Sequence, residues 1–151
     1  YETIKNDTWE GDCDMSNENC IFCKIANGEI PSQTLYEDDS FRVILDLGPA
    51  TKGHALVIPK EHYANLYELP EEQAGEAMKV AKKMAARMTE RLGCEGFNLI
   101  QNNGDLAGQT VFHFHMHMIP RYRADGQTIG WKPQEVTQEE LEEVKKQICG
   151  E

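Results

Sequence analysis

Three histidines, His113, His115 and His117, alternate with Phe114 and Met116 in the run Val-Phe-His-Phe-His-Met-His-Met-Ile-Pro at residues 111–120. Imidazole can ligate a metal, move a proton near neutral pH, or attack phosphorus as a nucleophile. Successive side chains of a strand point to opposite faces, so an extended run puts the three imidazoles on one face, with Phe114, Met116 and Met118 on the other. The outer pair is then about 13 Å apart. A zinc ion holds its ligands at about 2 Å, so all three cannot share one ion. A lone histidine on a strand is usually a half-buried polar residue, but three in strict alternation line a cleft.

Elements on either side must position that cleft. Residues 35–37 and 41–45 read as strands of a hairpin turned by Asp38-Asp39-Ser40, and residues 55–58 as a third strand stopped by Pro59. Residues 46–53 hold Gly48, Pro49 and Gly53 and read as a loop. Residues 97–101 and 111–119 are the fourth and fifth strands, joined by a polar, glycine-bearing segment at 102–110 that is a candidate anion loop. Ile21, Phe22 and Ile25 mark a short helix ended near Gly28. Ala74, Ala77, Met78, Ala81, Met84, Ala85, Met88 and Leu92 recur at helical spacing, which predicts a long helix over 71–92 packed through this stripe. A last amphipathic helix is expected over about 138–149. The result is an α+β domain with an antiparallel sheet of about five strands, one long helix, one short helix and a C-terminal helix.

At 151 residues the chain suits a single domain. Residues 1–19 are acidic and polar without apolar periodicity and read as a flexible tail, within which Met15 could start a natural reading frame. Against 26 Asp and Glu there are 15 Lys and Arg, for a net charge of -11, and no basic stripe, so a nucleic acid polymer is not an expected partner. A small anion remains compatible, because backbone N–H groups and a few histidines can hold a phosphate in an acidic protein. With no long apolar run and no signal-peptide layout at its start, the chain is expected to be cytoplasmic and to bind no membrane. Five scattered cysteines do not suggest a disulfide framework, and Cys20-x-x-Cys23 alone supplies half of a tetrahedral metal site.

The run His113-Phe114-His115-Met116-His117-Met118-Ile119 resembles the His-φ-His-φ-His-φ-φ signature of the histidine-triad (HIT) superfamily of nucleotidyl hydrolases and transferases. The resemblance extends through Cys20-Ile21-Phe22-Cys23-Lys24-Ile25, Glu29-Ile30-Pro31-Ser32, Tyr36-Glu37-Asp38, the segment from Lys52-Gly53-His54 to Pro59-Lys60, and Gly108-Gln109-Thr110-Val111. It covers roughly residues 20–121 and is nearest the Hint-like bacterial branch, which makes residues 20–151 a single HIT domain. The resemblance implies that His115 attacks the α-phosphorus of a purine nucleoside phosphoramidate or related conjugate, and that water then releases the nucleoside monophosphate from a nucleotidyl-histidine intermediate. It implies that His117 binds phosphate, His54 supports the triad, and Gly108, Gln109 and Thr110 surround the α-phosphate and leaving group, with Asn102 at the same site. Asp46 is expected at the ribose hydroxyls, and Ile21, Phe22, Ile25 and Ile44 at the base. It also implies a structural zinc held by Cys20, Cys23, His62 and His113, no cofactor for the chemistry itself, and a homodimer joined through strand pairing and the long helix. Cleavage of dinucleoside polyphosphates, as in the Fhit branch, is an alternative. A nucleotide-binding interaction protein with incidental catalysis is another, and a zinc-stabilised domain without turnover would have no use for the loop at 108–110.

Overall fold

The computed structural model describes residues 19–150. The expected tail at 1–19 lies almost wholly outside the described residues. Helix α1 spans Ile21–Ala26, followed by strands β1 (Thr34–Glu37), β2 (Phe41–Leu45) and β3 (Ala55–Pro59), helix α2 (Glu71–Leu92), β4 (Gly96–Gln101), a 3₁₀ turn (Asp105–Ala107), β5 (Met116–Arg121) and α3 (Gln138–Cys149). The five strands form one antiparallel sheet in the order β1-β2-β3-β5-β4. The α+β reading and the helix and strand content agree with the sequence.

Local chemistry accounts for the boundaries. The Asp38 carboxylate accepts from the backbone N–H groups of Ser40 and Phe41 and so closes the β1–β2 turn. Gly93, at φ +69°, ends α2 with its N–H on the Thr89 carbonyl. A capping box of Thr137 and Glu140 starts α3.

Two apolar layers sandwich the sheet, and β3 is buried along its whole length because it faces both. Ala55 and Val57 face α2 in a core with Phe41, Val80, Ala81, Met84 and Met88, to which β5 adds Met116 and Met118. Leu56 and Ile58 face the other way, packing with Ile25, Ala26 and Ile44 beneath α1. His117 pairs with Leu56 across the β3–β5 ladder. Directly opposed residues share a face, so the histidine side lies under α1 while Phe114, Met116 and Met118 pack toward α2.

Three expectations are corrected. Strand β5 begins at Met116 and runs through Pro120 to Arg121, whereas residues 111–115 are irregular: the Phe114 N–H leaves the sheet and donates to the Tyr63 carbonyl. Pro59 lies within β3 rather than beyond it, and both Pro59 and Pro120 are fully buried. On α2, Met78 is 54% exposed and Val80 takes the core position, because the face packed on the sheet follows 77, 80, 81, 84 and 88.

Candidate active site and metal cluster

The triad rings gather more closely than an ideal strand would place them, because the chain turns into β5 between His115 and His117. The His115 and His117 ring centroids are 5.1 Å apart. Phe22, projecting from α1, sets its ring edge-on to His115 at 4.9 Å. His54, just before β3, reaches across the ladder so that its Nε2 is 2.9 Å from His117 Nδ1.

Backbone contacts fix the protonation of each ring. The Ala50 N–H donates to His54 Nδ1 at 2.9 Å, so the His54 proton sits on Nε2 and is donated to His117 Nδ1. Neutral His117 must then carry its own proton on Nε2. His115 Nδ1 lies 2.8 Å from the His113 carbonyl, which can only accept; Nδ1 therefore holds the proton and Nε2 is left with a free lone pair. The site thus presents a nucleophilic nitrogen on His115 beside an N–H donor on His117.

The same rings are held neutral. Burial pushes the His117 pKa down to about 4, and the neighbouring His115 and His54 add to the effect while Asp46 opposes it. Burial also lowers His115, against the raising influence of the His113 carbonyl and Asp46, and it lowers His54 against Asp46. Asp46 Oδ2 is 3.6 Å from His54 Nε2, and its Oδ1 accepts from the Gly48 N–H. Although Asp46, His54 and His117 converge closely enough to suggest a metal site, an ion on His54 Nε2 would leave Nδ1 protonated against the Ala50 N–H. The group is a hydrogen-bonded relay.

A second cluster lies at the other end of the triad. Cys20, at the N-cap of α1, Cys23 one turn later, His62 after β3, and His113 place their ligand atoms within 4.8 Å of one another. The Cys23 Sγ is 3.2 Å from His62 Nδ1 and 3.3 Å from His113 Nδ1, and the Cys20 Sγ is 3.5 Å from His113 Nδ1. A tetrahedral zinc with ordinary Zn–S and Zn–N lengths has S···N edges of about 3.5 Å. The Pro59 carbonyl accepts from His113 Nε2 at 2.8 Å, which leaves Nδ1 free for an ion. Burial and the adjacent Cys20 push the Cys23 thiol up to about 12, while burial lowers His113 to about 4. These donors fit a thiophilic cation, and they can hold a metal.

The loop at 102–110 curls over the β4–β5 end. Gly108 takes φ +94° with its exposed backbone beside Asn102, whose Nδ2 is 3.5 Å from the Gly108 carbonyl, and Thr110 is exposed next to it. Gln109 is buried instead. Its Oε1 accepts from the Gly104 N–H, and its Nε2 donates to the Ala64 and Val111 carbonyls. Of the residues expected around a base, Ile25 and Ile44 are core, Phe22 is half-buried against His115, and Ile21 is 49% exposed.

The HIT domain model matches residues 27–124, well over half of the chain. The chain belongs to the HIT family. It is 41% identical over 130 residues to the adenosine 5′-monophosphoramidase hnt1 of Schizosaccharomyces pombe, covering 85% of this chain and 95% of that one. Among solved structures it resembles a HIT family protein from Bacillus anthracis, with 43% identity, a TM-score of 0.83, and coverage of 88% and 96% of the two chains. It also resembles a Zn-bound histidine triad family protein from Mycobacterium smegmatis, with 38% identity, a TM-score of 0.72, and coverage of 79% and 86%. Within this HIT domain, Ala50, Pro59 and Ala64 reach the site or its loop only through backbone atoms, which no side-chain motif can reveal.

Proposed function

We propose that the protein is a HIT-family nucleotidyl hydrolase that cleaves purine nucleoside 5′-phosphoramidates and related nucleotide conjugates at the α-phosphorus. The observation that carries this reading is the protonation pattern: His115 keeps a free Nε2 lone pair because its Nδ1–H is held by the His113 carbonyl. That lone pair attacks phosphorus, a P–N bond to His115 forms, and the bond to the leaving amine breaks as the amine takes up a proton. Water then attacks the nucleotidyl-histidine, the P–N bond to His115 breaks, and the nucleoside monophosphate leaves. The Nε2–H of His117 donates to a phosphoryl oxygen, and His54 keeps that proton in place. The exposed backbone of Gly108, with Thr110 and Asn102, completes the phosphate side. Asp46 receives the ribose hydroxyls, and Phe22 with Ile21, Ile25 and Ile44 shapes the base side. The 41% identity to a named monophosphoramidase supports this substrate class.

In the same reading Cys20, Cys23, His62 and His113 hold a structural zinc, which neutralises the thiolates and fixes the backbone from which the His113 carbonyl orients His115. The Zn-bound relative supports that choice of metal. No helix among the described residues is long and apolar enough to cross a membrane. Two copies of the chain pair through β4, which among the described residues has a neighbour on one side only, and through α2, where Met78 is exposed.

AMP release from adenosine 5′-phosphoramidate, with diadenosine tetraphosphate run alongside, tests the proposal. The wild type should turn over the phosphoramidate faster than the dinucleotide, and His115→Ala should fall to background. Equal turnover by His115→Ala would overturn the nucleophile, and preference for the dinucleotide would overturn the substrate class.

A further inference from the structure

The face of the sheet opposite the triad holds a cavity that the nucleotide chemistry does not use. It lies open between α2 and the β1–β2 side of the sheet and has a volume of about 360 Å³. A slip of one residue in the β1–β2 ladder, between Thr34 and Tyr36, turns Leu35 as well as Tyr36 toward the α2 core. Gly53 closes one end, because it brings the loop ahead of β3 so near to α2 that a Cβ would lie 2.5 Å from Leu92 Cδ1.

Walls and rim differ in chemistry. Met84, Met88 and Leu92 form the α2 wall and Leu35 and Leu45 the sheet wall, with no strong hydrogen-bonding group among them. A ligand body that fits these walls is apolar, and the unbranched methionines adapt to a flexible chain. Lys52, Arg87 and Arg91 also line the cavity. Among the described residues none of the three takes part in an ion pair, not even Arg87 with Glu90 three residues beyond it. Lys83, Arg87 and Arg91 recur along α2 at four-residue spacing, where like charges destabilise a helix. An anion at the rim offsets that repulsion, and the planar fork of a guanidinium matches a carboxylate.

We propose that this groove is a second ligand site, and that its ligand is a straight-chain carboxylate of medium length. The alkyl chain lies along Met84 and Met88, and the carboxylate meets Arg87 and Arg91, with Lys52 adding to the positive potential. A cavity at the small end of the range for bound ligands has room for one such chain and not for a diacyl lipid. Because the histidine side of the sheet lies under α1, this ligand and a nucleotide occupy opposite faces and do not compete.

Calorimetric titration of the full-length chain with hexanoate, octanoate and decanoate, each below its micelle concentration, tests the proposal. One site per chain is expected, with affinity rising about twofold to fourfold for each added methylene. Decyltrimethylammonium, and decanoate on a chain carrying Arg87→Glu with Arg91→Glu, both exposed positions, should bind about tenfold or more weakly. In wild-type protein with isotope-labelled methionine methyl groups, decanoate should shift the Met84 and Met88 resonances and leave Met78, exposed elsewhere on α2, in place. Excess AMP should not displace it. Absence of saturable binding would overturn the proposal, as would shifts that spare both Met84 and Met88, displacement by AMP, or affinity indifferent to the charge of the head or of the rim. An apparent affinity that falls as the protein concentration rises would mean that a second copy fills the groove, and would overturn it too.

Discussion

Replacing Gln109 separates two roles that its position beside the phosphate loop would allow. In the structure its amide is 3% exposed and satisfies three backbone groups: the Gly104 N–H at 2.9 Å, the Ala64 carbonyl at 2.6 Å and the Val111 carbonyl at 3.0 Å. The amide therefore ties the loop ahead of the triad to the segment between β3 and α2. Gln109→Ala removes all three bonds and leaves their partners in a site that is poorly hydrated. A net hydrogen bond is worth about 1 kcal/mol, and a buried group left without a partner costs about 1–3 kcal/mol, so a loop that partly relaxes should lose roughly 3 kcal/mol. Gln109→Glu keeps an acceptor for Gly104 but turns a carboxylate oxygen toward two carbonyls. It should be less stable than Gln109→Ala at pH 8 and recover relative to wild type when protonated. Urea denaturation of the three proteins at pH 8 and pH 5, with kcat/KM measured on each, reads both roles. If Gln109→Ala unfolds within about 0.5 kcal/mol of wild type while kcat/KM collapses, the residue touches substrate rather than bracing the loop, and the reasoning from its buried hydrogen bonds is refuted.

Other positions test the remaining parts of the account. Gly53 has φ +89°, and a Cβ there would sit 2.5 Å from Leu92 Cδ1 and 3.4 Å from Pro120 Cγ. Gly53→Ala should cost about 2–3 kcal/mol in thermal or urea unfolding, against about 1 kcal/mol for Gly93→Ala, where φ is +69° but the space is open; equal losses would mean that close packing at Gly53 is unimportant. His117 titrates near 4 in the folded chain and near 6.5 when unfolded, so below about pH 6.5 the unfolded chain binds the extra proton and stability falls until about pH 4. The urea midpoint of wild type should therefore fall more steeply across that window than the midpoint of His117→Gln, and parallel curves would contradict a buried neutral His117. Elemental analysis of protein purified without chelator should find one zinc per chain, lost in Cys23→Ser together with several degrees of Tm; wild-type protein free of zinc would remove the metal from the account.

The sequence made the chemistry legible where side-chain type and spacing carry it. His115 and His117 lie side by side as their alternation suggests, whereas the gathering of Cys20, Cys23, His62 and His113, and of His54 on His117, follows what the HIT resemblance implied rather than residue type alone. The long helix and the hairpin were equally plain, since both follow from periodicity and turn residues. Strand β5 was not. Alternation at residues 111–115 looks the same whether those residues lie in the ladder or, as here, leave it through the bond from Phe114 to Tyr63, a long-range contact that no local pattern encodes. The prolines misled for a related reason. Pro59 and Pro120 are strand breakers only where a ladder N–H is required, and the ends of β3 and β5 tolerate them. Gln109 was readable as a loop amide near the triad, but its engagement by Gly104, Ala64 and Val111 depends on the folded path of the chain. The same is true of the tautomers, which rest on the carbonyl of His113 and the N–H of Ala50.

The central claim is that His115 becomes covalently joined to phosphorus. It is tested most directly by the stereochemical course of hydrolysis of an adenosine 5′-phosphoramidate made chiral at phosphorus with oxygen isotopes and sulfur. Two successive in-line displacements, by His115 and then by water, predict net retention of configuration, with a transient adenylyl adduct on the peptide that contains His115 in rapidly quenched samples. Net inversion, with no adduct at any time, would mean that water attacks the substrate directly and would contradict the account.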